Sequence, residues 1–190
     1  YRALTPAQAN FSPHHALLAM REILPEDSLL VADVGAHTHI IGQLWDTRGP
    51  GNFLVSNGWS SMGFGIPAAI AAKLLLPDRP VVACVGDGGF LMMVGEINTA
   101  VRLRLPVIFV VLRDRFLSLI KVKQTRKEYH RYGVELFSAN YSSSDNFFGA
   151  KVIVAEGEEE FRGALKRSLE GSQPVVIEAV VDPSEYDVIV

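Results

Sequence analysis

Asp87 lies inside the run Gly86-Asp87-Gly88-Gly89, and Asp114 follows 27 residues later. Between them the chain passes a helix-like stretch and then Pro106-Val107-Ile108-Phe109-Val110-Val111-Leu112, which has the apolar continuity of a buried strand. Both acids therefore stand at the ends of apolar strands joined by one helix. In a parallel sheet those ends share the carboxyl edge, where open α/β folds bind ligands. Two carboxylates there, beside backbone amides opened by glycines, suit a divalent cation that carries a phosphate. Taken singly, Asp87 reads equally as a turn or N-cap aspartate, and Asp114 as a surface turn residue.

Such residues need elements to hold them, and strand-like and helix-like segments alternate along the chain. Ser12 and Pro13 suit an N-cap and first helical position, with Leu17, Leu18, Met20 and Ile23 ahead of a stop at Pro25. Residues 28–34 predict a buried strand ending at Asp33 and Gly35, and a helix follows over about 37–45. Next come a short strand at 53–55, an Ala-rich helix over 63–76 closed by Pro77, a strand over 79–86, a helix over 94–103 and the strand over 106–112. Residues 138–144 are expected to form a polar loop and 145–149 to end a helix. The late strands are 152–154 and 175–180, separated by a helix over 158–169 with Phe161, Leu165 and Leu169 on one face and Gly157 at its entry. This alternation predicts an α/β fold, a doubly wound parallel β-sheet with helices on both faces.

Composition sets outer bounds. The 190 residues fit one domain, and 48% hydrophobic against 21% charged residues can build a sizeable core. A net charge of −3 makes no electrostatic case for nucleic acid or an anionic membrane. No apolar stretch reaches the roughly 18 residues of a membrane span. The single cysteine, Cys84, sits in Val81-Val82-Ala83-Cys84-Val85 and reads as a small buried hydrophobe. One cysteine allows no disulfide framework, so a reducing, cytoplasmic setting is expected. Residues 1–12 lack periodicity and are expected to be a linker, 13–182 the domain and 183–190 the start of a C-terminal tail, the whole belonging to a longer polypeptide.

The Gly86-Asp87-Gly88 to Asp114 arrangement resembles the diphosphate-binding motif of thiamine-diphosphate (ThDP) enzymes. In that family Gly-Asp-Gly is followed, about one βαβ unit later, by Asn-Asn or Asn-Asp. The resemblance extends through Ala32-Asp33-Val34-Gly35-Ala36-His37, Ser56-Asn57-Gly58-Trp59-Ser60-Ser61-Met62-Gly63-Phe64-Gly65-Ile66-Pro67-Ala68-Ala69, residues 85–124 and Tyr132-Gly133-Val134-Glu135-Leu136. It is closest to the C-terminal catalytic domain of acetolactate-synthase-like enzymes. It implies an enzyme that decarboxylates a 2-oxo acid, pyruvate foremost, and transfers the carbanion to an acceptor. Benzaldehyde lyase, 2-hydroxyacyl-CoA lyase, glyoxylate carboligase and sulfoacetaldehyde acetyltransferase share these motifs, and fold and cofactor do not choose among substrates. A non-catalytic oligomerisation or regulatory module is the alternative from another class.

The cofactors implied by the resemblance are ThDP and Mg2+. Its metal ligands map to Asp87, Asp114 and the backbone carbonyl of Phe116. Gly86, Gly88 and Gly89 map to the turn that lets backbone amides approach the diphosphate. His37 maps to a diphosphate contact, while the Gln that accompanies it in the family is Ala36 here. The catalytic positions implied are the Ser60 carbonyl, facing the aminopyrimidine, and Met62, which wedges between the cofactor rings and holds them in the reactive geometry. Arg113 replaces the Asn usual before the second metal ligand; it and Arg115 flank Asp114 either as counter-charges or as solvated side chains. Nothing here supplies the glutamate of the family's pyrimidine-binding domain, since Glu96, Glu128 and Glu135 match other positions. The implied partners are a small-molecule 2-oxo acid and that domain of a neighbouring subunit, within a homodimer or homotetramer. The chain alone is expected to be inactive.

Overall fold

A computed structural model describes residues 10–136 and 147–189 of the chain. Its strands are β1 (Leu29–Ala32), β2 (Phe53–Val55), β3 (Val81–Gly86), β4 (Val107–Arg113), β5 (Lys151–Ala155) and β6 (Val175–Val180). They form one sheet in the order β2-β1-β3-β4-β6-β5, with every neighbouring pair parallel. The helices are α1 (Pro13–Ile23), α2 (Ala36–Leu44), α3 (Gly65–Leu75), α4 (Asp87–Met93), α5 (Ile97–Arg102), α6 (Ser118–Arg126), α7 (Glu158–Leu169) and α8 (Tyr186–Ile189). This is the doubly wound α/β class that the alternation predicts.

The apolar runs of the central strands are explained by cover on both faces. Leu30, Ala32, Val82, Cys84, Ile108, Val110 and Leu112 point into one layer with α1, α2 and α7. Their alternate neighbours Leu29, Val31, Val81, Ala83, Val85, Val107, Phe109 and Val111 point into the other, with α3, α4 and α5. Cys84 is buried, as its setting predicts. On α7, Phe161 and Leu165 are fully buried and Leu169 packs at the margin of the same layer. Each such side chain contributes roughly 1.5–3 kcal/mol on burial. Phe11 extends this packing, its ring 5.5 Å from that of Phe161.

Several local expectations need correction. Helix begins at Asp87, not near Val94, because Gly86 is already extended and acts as the N-cap. The expected helix over 94–103 is a 3-10 turn, Val94–Glu96, followed by α5. Helix α6 went unseen in the sequence because only Ser118 and Val122 of it are buried, too narrow a stripe to read as amphipathic. The loop expected at 138–144 and the first part of 145–149 lie outside the described residues. The rest of that second segment is not a helix end: Phe147 and Ala150 exchange backbone hydrogen bonds of 2.9 and 2.8 Å around Phe148 and Gly149. Both central residues have positive φ, 50° and 90°, the signature of a tight hairpin turn. Beyond β6, Pro183–Glu185 form a 3-10 turn that leads into α8.

Candidate functional site

The strand order decides where a ligand can enter. From β1 the chain turns to α2 in one helical layer; from β3, the next strand over, it turns to α4 in the other. The two exits diverge and leave a crevice at the carboxyl ends, the topological switch point of such sheets. A cavity of about 500 Å³, its open mouth included, occupies that crevice. Eight of the residues singled out from sequence line it: His37, Met62, Gly86, Asp87, Gly88, Gly89, Asp114 and Phe116. Ser60 does not. It lies exposed at φ 52°, a left-handed conformation unusual for a residue with a Cβ.

The two acids meet through the backbone. Asp87 is buried, and its Oδ2 accepts from the amides of Asp114 at 2.7 Å and Arg115 at 2.9 Å. The carboxylate at the end of β3 thus fixes the chain as it leaves β4. Asp114 Oδ1 accepts from the Phe116 amide at 2.8 Å and Oδ2 from the Ser118 hydroxyl at 2.6 Å, which folds the turn that starts α6. Burial, together with the adjacent Asp87 charge and against the Ser118 hydrogen bond, pushes the Asp114 carboxyl up to about 7. A pocket that raises a carboxyl this way favours a cation that relieves the paired negative charge. Asp114 bonds Phe116 and Ser118 and lies within hydrogen-bond reach of the Asp87 carboxyl, and since a carboxylate oxygen has two lone-pair directions, coordination capacity remains.

His37 occupies the opposite wall. It is buried between Gly35 and Gly86, where a Cβ on either glycine would come within 2.8 or 3.2 Å of the ring. Burial lowers it to about 4, partly offset by a ring hydrogen bond to the Asp33 backbone. Its Nε2 has no hydrogen-bond partner among the described residues. A buried ring nitrogen left unpaired costs free energy until something binds it. His39, one turn face away, is exposed.

Glycine shapes the floor. A Cβ on Gly88 would meet Met62 Cε and Leu117 Cδ2, both at 2.6 Å, so only a bare backbone keeps the space beside Met62 open. A Cβ on Gly89 would run into Asp33 Oδ2.

The sequence assigns Asp33 no role beyond ending the first strand, and the structure gives it one. It is fully buried at the end of β1, and its two oxygens accept from the amides of Gly63 at 3.2 Å and Phe64 at 3.1 Å. Those amides open α3, so Asp33 pins the segment that carries Met62 to the sheet. Burial raises its carboxyl despite these amides. The one available signal was an acid closing an apolar run, the same signal that marked Asp87. The open choice for the arginines is also resolved. Arg113 is buried with Glu178, Nε to Oε2 3.6 Å, on the β4–β6 pair, so it is not solvated; Arg115 is exposed.

The donor set suits a divalent cation and a phosphate. It offers two converging carboxylates, a glycine-bounded space that a Cβ would fill, and in the same cavity wall a histidine whose buried Nε2 has no partner among the described residues. Among the described residues no group of three or more His, Cys, Asp or Glu side chains could hold a metal, so backbone or cofactor oxygens would have to complete the shell.

Comparison with known proteins gives the family. The family described as thiamine pyrophosphate enzyme, C-terminal TPP binding domain, matches residues 33–179. A putative thiamine pyrophosphate-containing protein of Bacillus subtilis (strain 168) is 32% identical over 93% of this chain and 31% of its own length. A catabolic acetolactate synthase of Raoultella terrigena is 31% identical over 90% of this chain and 30% of its own. A probable acetolactate synthase large subunit of Methanococcus aeolicus is 30% identical over 84% and 27%. The chain thus spans less than a third of the length of each of these relatives.

Proposed function

The chain belongs to the thiamine pyrophosphate enzymes as their C-terminal TPP-binding domain, and from that premise we propose that the β1/β3 cavity holds the diphosphate of ThDP on Mg2+. The observation that carries this reading is the convergence of Asp87, Asp114, the Gly86–Gly89 turn and the unpaired His37 on one cavity. Asp87, Asp114 and the Phe116 carbonyl take the cation. The amides of Gly88 and Gly89 and the His37 ring take the phosphate oxygens. Met62 fixes the rings above them, and the Ser60 carbonyl meets the aminopyrimidine once the loop is covered. When bound, ThDP supplies a stabilised carbanion for cleaving the bond beside a carbonyl; the residues here bind it, orient it and exclude water.

The whole enzyme, in this proposal, is acetolactate-synthase-like. It decarboxylates pyruvate and transfers the remaining two-carbon unit to an acceptor, in the cytoplasm, as a homodimer or homotetramer. Two of the relatives above are named as acetolactate synthases, one of them as probable. The separate pyrimidine-binding domain would complete the site from a neighbouring subunit. Trp59, 98% exposed beside the Met62 loop, and Met92 at the exposed side of α4 support such a cover. No helix among the described residues is long and apolar enough to cross a membrane.

The test is to incubate the full-length protein with pyruvate, ThDP and Mg2+ and follow products by NMR. Acetolactate supports the reading down to its substrate. Acetaldehyde alone moves the reaction to simple decarboxylation. No turnover, with ThDP bound, leaves a sister lyase or carboligase with another donor. No turnover and no binding leaves a non-catalytic module, the outcome that the replacements at Ala36 and Arg113 would foreshadow.

A further inference from the structure

One residue of the cavity wall comes from outside the stretch matched to the family. Tyr186, first residue of α8, lines the cavity together with His37, Asp87 and Asp114, whereas the family match ends at residue 179. The ring is 2% exposed and packs in the layer of α1, α2 and α7. Buried tyrosines ordinarily find a partner for the hydroxyl. The Tyr186 amide bonds within its own turn, but the hydroxyl makes no hydrogen bond to another described residue. A phenol is protonated at neutral pH, so this hydroxyl is a donor. A neutral donor lining the same cavity as two carboxylates and an imidazole suits an anion brought in on a cation.

The segment that carries Tyr186 is clasped to the rest of the domain. The Val181 amide donates to the Arg113 carbonyl at 3.0 Å and the Asp182 amide to the Phe11 carbonyl at 2.8 Å. Glu185 accepts from the Ser12 hydroxyl at 2.7 Å and the His14 amide at 3.2 Å, and Arg126 of α6 donates to the Asp187 carbonyl at 3.1 Å. The clasps run to the N-terminal residues, to the end of β4 just before Asp114, and to the helix that Asp114 starts. A ligand engaging the phenol therefore bears on the whole C-terminal segment.

We propose that Tyr186 is a direct diphosphate contact, its hydroxyl donating to a phosphate oxygen, and that this contact ties residues 183–189 to the occupied site. The proposal rests on the ThDP reading above and goes beyond it by assigning a residue of the C-terminal segment to the cofactor.

The test compares the full-length protein with its Tyr186→Phe variant by calorimetric titration with ThDP at saturating Mg2+, with hydrogen exchange followed over residues 183–189. In the wild type, ThDP with Mg2+ should slow exchange in that segment. The variant should keep the thermal midpoint of the unliganded protein, bind ThDP about tenfold more weakly, and lose the exchange protection. Equal affinity of wild type and variant for ThDP, or protection that persists in the variant, overturns the proposal while leaving the cofactor reading intact. Failure of the wild type to bind ThDP overturns both.

Discussion

The turns that follow β1 and β3 are near twins in sequence and opposites in use. Each strand ends in a buried aspartate, Asp33 or Asp87, and each accepts two backbone amides from a distant segment. Asp33 grips the start of α3; Asp87 grips the end of β4. The difference lies in what surrounds them. Asp33 lies so close to Gly65 and Gly89 that a Cβ on either would meet it, and it does not line the cavity. Asp87 opens on the cavity and has a second carboxylate, Asp114, within reach. The same residue type at the same place in a βα unit is scaffold when sealed and, in the proposed reading, chemistry when left beside a like charge. Together they teach that a strand-end acid is a candidate, and access with a charged neighbour decides its role.

That contrast can be broken by separating binding from stability. Asp87→Ala should weaken Mg2+-dependent ThDP binding by about 100-fold or more, since it removes a charge that the cation needs. Calorimetric titration of the full-length variant checks this, and near-normal affinity would make Asp87 a second Asp33. Asp33→Ala should do the reverse. Unpairing the Gly63 and Phe64 amides should lower unfolding free energy by about 3 kcal/mol. Urea denaturation measures it, and the ThDP affinity of the fraction that folds should change less than in Asp87→Ala.

A third expectation concerns pH. His37 falls from 6.5 in the unfolded chain to about 4 when folded, so below 6.5 the unfolded chain binds the extra proton. Its contribution is intact above pH 6.5 and is lost as pH falls toward 4. By pH 4.5 the loss should reach about 2–3 kcal/mol relative to pH 7. Denaturation of wild type and His37→Gln at both pH values isolates it, because the variant should lack that part of the slope. An equal slope in both would mean that the ring is not sealed between its glycines.

The smallest effect sharpens the twin comparison most. Gly89→Ala should cost about 1–3 kcal/mol by forcing a methyl group against Asp33. In an Asp33→Ala background much of that cost should disappear, since the colliding oxygen is gone. Simple additivity in the double mutant would show that Gly89 is held for the cavity side instead.

Much of this was legible from residues 28–34, 81–86 and 107–113, because a strand covered on both faces must be apolar at every position, and a parallel sheet must insert a helix before each return. The ends of those strands, and hence Asp87 and Asp114 as a pair, follow from the same pattern. Helix α6 was hidden by its thin apolar stripe, and the Phe147–Ala150 turn by an aromatic at a left-handed position, where sequence rules look for glycine. Adjacency in sequence left Arg113 open as a counter-charge to Asp114 or as a solvated side chain. In a strand, however, successive side chains point to opposite faces, and Arg113 turns to Glu178 instead.

By itself, then, the sequence determined the layer architecture, the sheet edge on which the proposed site lies and the acids available there. Tertiary structure alone decided which acid is sealed and which is open, why Gly88 and Gly89 must lack side chains, and that Tyr186 reaches the same cavity from the far end of the chain. The physical reason is range. Periodicity and turn chemistry act over a few residues, whereas the amides that bind Asp33 and Asp87 come from 30 and 27 residues away, across crossovers that only the packed sheet brings into register.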